Sequence, residues 1–109
     1  MKITLIGLGV SRDDLTQGAR RALENCDKVI VRTERCAGFE NLKDFAPTTL
    51  DCVYEKSRNF DTLNKKLAAC VTDAAKDGSV CYCVDGSVRE DESCKIILKK
   101  LKGCEIFDS

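Results

Sequence analysis

Two short loops of small residues are the first candidates for chemistry in this chain of 109 residues: Gly7-Leu8-Gly9-Val10-Ser11 and Asp85-Gly86-Ser87-Val88. Glycine in such loops permits positive φ and lets a ligand reach backbone amides and carbonyls without meeting a Cβ. The plainer alternative is that each glycine only turns the chain. Eight cysteines form the second group, at Cys26, Cys36, Cys52, Cys70, Cys81, Cys83, Cys94 and Cys104. They contain no C-x-x-C pair, so their spacing favours small buried hydrophobes in a reducing compartment over a disulfide framework. A zinc or iron–sulfur site is the competing reading, which metal analysis of the purified protein separates from the first. Histidine is absent, which removes the commonest general base and the commonest zinc ligand. Triad-type catalysis and His-containing metal sites are therefore excluded for this chain alone, and no metal site is expected.

Known phosphate-binding patterns fail. Gly7-x-Gly9 begins like a dinucleotide fingerprint, but Arg12 stands at the third glycine position, where close helix packing needs a small residue. A phosphate loop of the G-x-x-x-x-G-K-[ST] type is absent as well. The last helix is expected to open with Arg89-Glu90-Asp91-Glu92, whose carboxylates suit the helix dipole and repel an anion. A neutral or cationic ligand is tolerated there. Arg32, Glu34 and Arg35 are expected at the end of a strand as solvated pairs or contacts to a neighbouring domain, not as catalysts.

Hydrophobic periodicity supplies the elements that position these loops. Ile3 to Ile6 reads as a strand stopped by Gly7. Leu15, Ala19, Ala22, Leu23 and Cys26 fall on one helical face, with Asp13 and Asp14 as expected caps. Lys28 to Arg32 is a β-branched run suited to a strand covered on both faces. Phe39, Leu42 and Phe45 suggest a short helix, and a third strand is expected near Thr48 to Cys52. The strongest helix carries Phe60, Leu63, Leu67, Val71 and Ala74, with Asp61 expected to cap its start and Gly78 its finish. Ser79 to Val84 reads as the fourth strand, with Cys81 and Cys83 on one face. A last helix carrying Cys94, Ile97, Leu98 and Leu101 and ending at Gly103 precedes a fifth strand, Cys104 to Phe107. Lys95, Lys99, Lys100 and Lys102 read as that helix's wet face and last turn. Strands alternating with helices predict one α/β domain with a largely parallel sheet.

Charge restricts the partners. The chain carries 18 basic and 18 acidic residues, balanced at eight of each in residues 1–54 and ten of each in residues 55–109. Neither half offers the basic surface that binding to a phosphate backbone requires, so nucleic acid is not expected. No apolar run approaches the roughly 18 residues of a membrane span, and the start lacks the long apolar stretch of a signal peptide. A cytoplasmic location without membrane association is expected.

The order Ile-Thr-Leu-Ile-Gly-Leu-Gly, then Leu15 to Leu23, then Asp27-Lys28-Val29-Ile30-Val31-Arg32-Thr33-Glu34-Arg35, resembles the N-terminal half of the tetrapyrrole (corrin/porphyrin) methylases. The nearest resemblance is to the branch fused to MazG-type nucleotide pyrophosphohydrolases. It implies a five-stranded sheet of order 3-2-4-1-5, with strands one and four adjacent where the winding reverses. It implies S-adenosylmethionine as cofactor, bound at Gly7, Gly9, Val84, Asp85, Gly86, Ser87 and Val88, and a tetrapyrrole-like small molecule as substrate. It also implies a second domain that encloses the cofactor and is absent from residues 1–109, which form the first. Ser11 and Arg12 stand where the family's G-x-G-x-G-D loop has its last Gly and its Asp. Asp85-Gly86-Ser87-Val88 keeps only the glycine of the family's P-G-D-P or P-G-H-P loop. Two functions are thus expected from one fold: half of a methyltransferase, inactive by itself, or a degenerate module serving a nucleotide pyrophosphohydrolase. A dinucleotide-binding oxidoreductase fragment is the third, opposed by the failed fingerprint. Without the second domain, exposed apolar surface should promote self-association.

Overall fold

A computed structural model of the chain describes residues 2–8, 16–36, 38–101 and 103–107. Gly9, Val10, Ser11, Arg12, Asp13, Asp14, Leu15 and Lys102, for which the sequence carries expectations, lie outside the described residues. Five strands form one sheet: β1 (Ile3–Gly7), β2 (Lys28–Val31), β3 (Thr48–Thr49), β4 (Val80–Val84) and β5 (Glu105–Phe107). Their spatial order is β3-β2-β4-β1-β5 and every pairing is parallel. All residues of β1 and β4 are buried, as continuous apolar runs covered on both faces should be. The short outer strands β3 and β5 are partly exposed, as sheet edges are.

Among the described residues, four helices accompany the sheet: α1 (Gln17–Asn25), α2 (Asp51–Lys56), α3 (Phe60–Ala74) and α4 (Glu92–Lys100), with 3₁₀ segments at Phe39–Phe45 and Val88–Glu90. Leu63, Leu67, Ala68 and Val71 of α3 and Cys94 and Ile97 of α4 close over Leu5, Ile30, Tyr82 and Val84 on one face. Ala19 and Leu23 of α1, with Leu42 of the first 3₁₀ segment, cover Ile6, Val31, Cys81 and Cys83 on the other. Residues two apart on a strand share a face, so Cys81 and Cys83 fill the α1 side together. All eight cysteines are free; four are buried, Cys26, Cys70 and Cys104 are half-buried, and Cys52 is exposed.

Several boundaries differ from the sequence expectation, each for a local reason. β3 stops at Thr49, because Leu50 and Asp51 begin α2, which takes Cys52 into a helix that the apolar pattern does not reveal. The cap of α3 is Asn59, whose side chain accepts from the Thr62 amide at 2.8 Å, and Asp61 sits in the first turn instead. That helix ends at Ala75 and not at Gly78. Gly78 is explained by proximity, since a Cβ there would stand 2.6 Å from Asp27 Oδ2. The cap of α1 is Thr16, accepting from the Ala19 amide at 3.1 Å. α4 starts at Glu92 with Asp91 as its cap, Arg89 and Glu90 belonging to the preceding 3₁₀ turn, and it ends at Leu101, two residues before Gly103.

Candidate functional site

The carboxyl ends of β2, β4 and β1 lie side by side. Gly7 is in register with Val84, and the Leu8 amide donates to the Val84 carbonyl at 2.8 Å, so the exits of β1 and β4 leave together. The Arg32 amide donates to the Cys83 carbonyl at 2.9 Å and brings the β2 exit to the other side of β4. Chain winding reverses across this point, which is where open parallel sheets bind ligands.

The β4 exit divides into anchors and an open rim. Val84 and Val88 are fully buried in the core, so their side chains fix the loop and leave only its backbone to a ligand. Between them Gly86 has φ +70°, and no atom lies within 4 Å of where a Cβ would stand. This is the left-handed conformation that L side chains avoid, combined with open space beside the backbone. Asp85 is exposed, Ser87 is half-buried, and the Ser87 side chain accepts from the Arg89 amide at 3.2 Å. The Gly7 backbone reaches the same rim through its β4 partner; the Gly9 expectation lies outside the described residues.

A cleft of about 320 Å³ opens between this loop and the first turns of α3. Arg32, Asp85, Gly86 and Ser87 line one side; Phe60 and Asn64 line another, and Glu90, Asp91 and Glu92 complete it. Its floor is a connected polar network. The Arg32 guanidinium donates to Asp91 Oδ2 and to the Tyr54 hydroxyl, and it lies 5.7 Å above the Tyr54 ring centre. Asp91 Oδ1 accepts from Ser93 Oγ and from the Cys94 amide, and Ser93 Oγ meets the buried Tyr82 hydroxyl at 2.9 Å. Arg32 is thus no solvated strand-end charge: its side chain is 15% exposed and that of Asp91 5%. Burial alone would disfavour the guanidinium charge, yet the Tyr54 hydroxyl and the Asp91 carboxylate outweigh it and hold Arg32 protonated more firmly than usual.

Beside the network, Thr33 Oγ1 donates to Asp51 Oδ1 and the Glu34 amide donates to Asp51 Oδ2 at 3.1 Å, tying the β2 exit to α2. Asp51 is pulled upward by desolvation, but these hydrogen bonds prevail and lower its pKa. The Cys36 thiol is pushed up to about 11 by burial and by the Asp85 charge, and burial likewise raises Cys83. Neither offers a thiolate nucleophile near neutral pH. The arrangement can bind and orient, with no activated nucleophile among these thiols.

The family model of the tetrapyrrole (corrin/porphyrin) methylases matches residues 2–99. The chain belongs to that methylase family. Among its relatives, the uncharacterized protein YabN of Bacillus subtilis (strain 168) is 33% identical over 88 residues, covering 78% of this chain and 18% of YabN. The chain therefore spans less than a fifth of that relative. The methylase fold accounts for the sheet order and for the adjacency of β1 and β4. Among the described residues, no helix is long and apolar enough to cross a membrane.

Sequence reasoning missed Asn64, Tyr54 and the Arg32–Asp91 pair. Asn64 left one signal: it is a polar residue on the apolar stripe of α3, four positions after Phe60 and three before Leu67. Tyr54 and the ion pair left none, because 59 positions separate Arg32 from Asp91 and only the fold closes that distance.

Proposed function

We propose that residues 1–109 are the first domain of an S-adenosylmethionine-dependent methyltransferase and contribute one wall of its cofactor cleft. That wall comprises Gly7, Gly9 and the Val84 to Val88 loop. The family generally uses this cofactor, which supplies an electrophilic methyl carbon on a sulfonium. The residues present fit it: the left-handed Gly86 backbone is approachable, and the carboxylates nearby tolerate positive charge. The observation that carries the reading is the junction of the β1 and β4 exits through Leu8 and Val84. Methyl transfer demands chiefly that the sulfonium methyl be aligned with a nucleophilic atom, and rigid anchors such as Val84 and Val88 serve alignment. The absence of histidine is then no obstacle.

A second domain would close the cleft, so these residues alone should not turn over a tetrapyrrole. Calorimetric titration of the protein with S-adenosylmethionine and its demethylated product tests the reading. Saturable heat that Gly86→Val abolishes is expected; absence of heat, both here and in a chain extended through a second domain, overturns it.

The loop Asp85-Gly86-Ser87-Val88 has no proline brace, and this favours a second reading: a methylase-fold module of the MazG-associated branch that serves a nucleotide pyrophosphohydrolase through protein contacts. Silence toward the cofactor, together with pyrophosphohydrolase activity that falls when this domain is deleted from the longer chain, would establish it. Both readings place the protein in the cytoplasm.

A further inference from the structure

Away from the β4 exit, two cysteines from distant parts of the sequence meet at the C-terminal end of α1. Cys26 is the cap residue of that helix, and its amide donates to the Ala22 carbonyl at 3.0 Å. The Cys81 thiol, on the central strand β4, donates to the same Ala22 oxygen at 3.3 Å. One acceptor thus gathers the backbone of Cys26 and the sulfur of Cys81. The Cys26 sulfur sits between the Leu23 and Lys28 carbonyls, at 3.4 and 3.2 Å. Its residue packs on the apolar cluster that contains Cys81, and the two thiols lie within hydrogen-bond reach of each other. Their access differs. Cys81 is fully buried, whereas Cys26 is half-buried and lines a cleft of about 370 Å³ between α1 and the β1–β5 edge, with Lys2, Arg21 and Phe107 among its other walls. Cys81 and Cys83 share a face of β4 but cannot bridge. Strand residues two apart hold parallel Cβ atoms roughly 6.6 Å from one another, and a disulfide needs them about 3.8 Å apart.

We propose that Cys26 and Cys81 are a redox modification site, joined by a reversible disulfide when the protein meets a hydroperoxide. Cys26 reacts first, because it borders the cleft, and buried Cys81 resolves the product. In the first step Cys26 gives its proton to solvent and its sulfur attacks a peroxide oxygen; the O–O bond breaks, sulfenic acid forms, and the departing hydroxide takes up a proton as water. In the second the Cys81 sulfur attacks the Cys26 sulfur; the S–O bond breaks, and hydroxide leaves with the Cys81 proton as a second water. Two thiols lose two electrons and one peroxide gains them. The Ala22 carbonyl stays satisfied throughout, since the Cys26 amide still donates to it after the Cys81 proton has gone. The bridge fastens the end of α1 to the middle of the sheet and closes a loop through β2, β3, α2 and α3, which restricts the unfolded chain and stabilises the folded one. Bridges of this kind are transient in reducing compartments, and a small thiol restores both cysteines.

The inference does not depend on whether S-adenosylmethionine binds. Its test treats dilute Cys52→Ser protein, which lacks the exposed thiol, with hydrogen peroxide, alkylates the remaining thiols and maps the peptides without reduction. A peptide pair joining Cys26 to Cys81 is expected, with fragment ions that exclude Cys83, and dithiothreitol should dissolve it. The bridged form should melt at a higher temperature than the reduced one. Cys81→Ala should lose the bridge and leave a Cys26 sulfenic acid that dimedone captures, and Cys26→Ser should lose both products. Cys36→Ala should leave the bridge unchanged. Joining of Cys26 to a different cysteine, its passage to sulfinic acid while Cys81 remains a thiol, or its survival unoxidised in folded protein would each overturn the proposal. A bridged form that melts no higher than the reduced one, or a folded Cys81→Ala protein with no added dimedone label at Cys26, would do the same. The peptide map of the Cys52→Ser protein decides the pairing even where Cys81→Ala does not fold.

Discussion

Asp91 carries three duties with two oxygens. It neutralises Arg32, caps α4 through the Cys94 amide at 2.9 Å, and receives Ser93, which in turn holds Tyr82. A buried pair of this kind contributes little against a well-packed apolar substitute, but losing one member strands the other charge and costs about 3–5 kcal/mol. Asp91→Ala should therefore lower the urea-derived stability by about that amount. Asp77→Asn, which breaks the exposed 4.0 Å contact with Lys28, should change it by less than about 0.5 kcal/mol. Comparable losses in the two variants would contradict the closed network. The thiols make a prediction of opposite character. Cys36 ionises near 9.0 when unperturbed and near 11 in the fold, through burial and the nearby Asp85 charge. Between those pH values the unfolded chain has released a proton that the folded chain keeps, so stability falls as pH rises, by up to about 1.4 kcal/mol per pH unit for such a group. The contribution is whole below the lower value and gone above the upper one. Thermal melts across this range should show a shallower decline for Cys36→Ala than for the unaltered chain; parallel declines would assign the alkaline loss elsewhere.

The β4 exit is a short stretch of backbone pinned at both ends by buried valines and free in the middle. Gly86 supplies the freedom through its positive φ, and nothing packs against it. Gly86→Ala should therefore cost about 1–2 kcal/mol through backbone conformation alone, without a steric clash, and should weaken any ligand of the loop. A crystal structure of the variant that keeps φ near +70° with undiminished stability would contradict this. Elements also show where local signals were readable. The α3 stripe from Phe60 to Ala74 was legible because its apolar residues recur at helical spacing over four turns. Its cap was not. Asn59 and Asp61 are both competent capping residues, and the choice depends on which one leaves the helical conformation. α2 was invisible because six residues with no buried member give no hydrophobic period. Its position follows from tertiary ties of Asp51 to Thr33 and of Tyr54 to Arg32.

At the scale of the whole molecule, the sheet buries its central strands on both faces and leaves one rim, at the carboxyl ends, with an aromatic ring uncovered. Phe60 is the large hydrophobic residue most exposed among the described residues. The proposed reading assigns that rim to a second domain or, in its absence, to another copy of the chain. Sedimentation velocity over a range of concentrations should then reveal self-association that Phe60→Ser reduces. A clean monomer throughout would remove the expectation that this face seeks a protein partner.

The sequence by itself determined the class of the fold, because strand-length β-branched runs alternating with amphipathic helices can bury their apolar faces in few ways other than a parallel sheet between helix layers. Through family resemblance it also indicated the order of the strands and drew attention to Gly86. Only the tertiary structure decided the character of the cleft. Arg32, Tyr54, Asn64 and the adjacent Glu90 and Asp91 come from four separate stretches of chain, and each alone reads as an ordinary surface or helix residue. Their charge state and their pairing arise from burial beside one another, and burial is a property of the folded surface that no local spacing encodes.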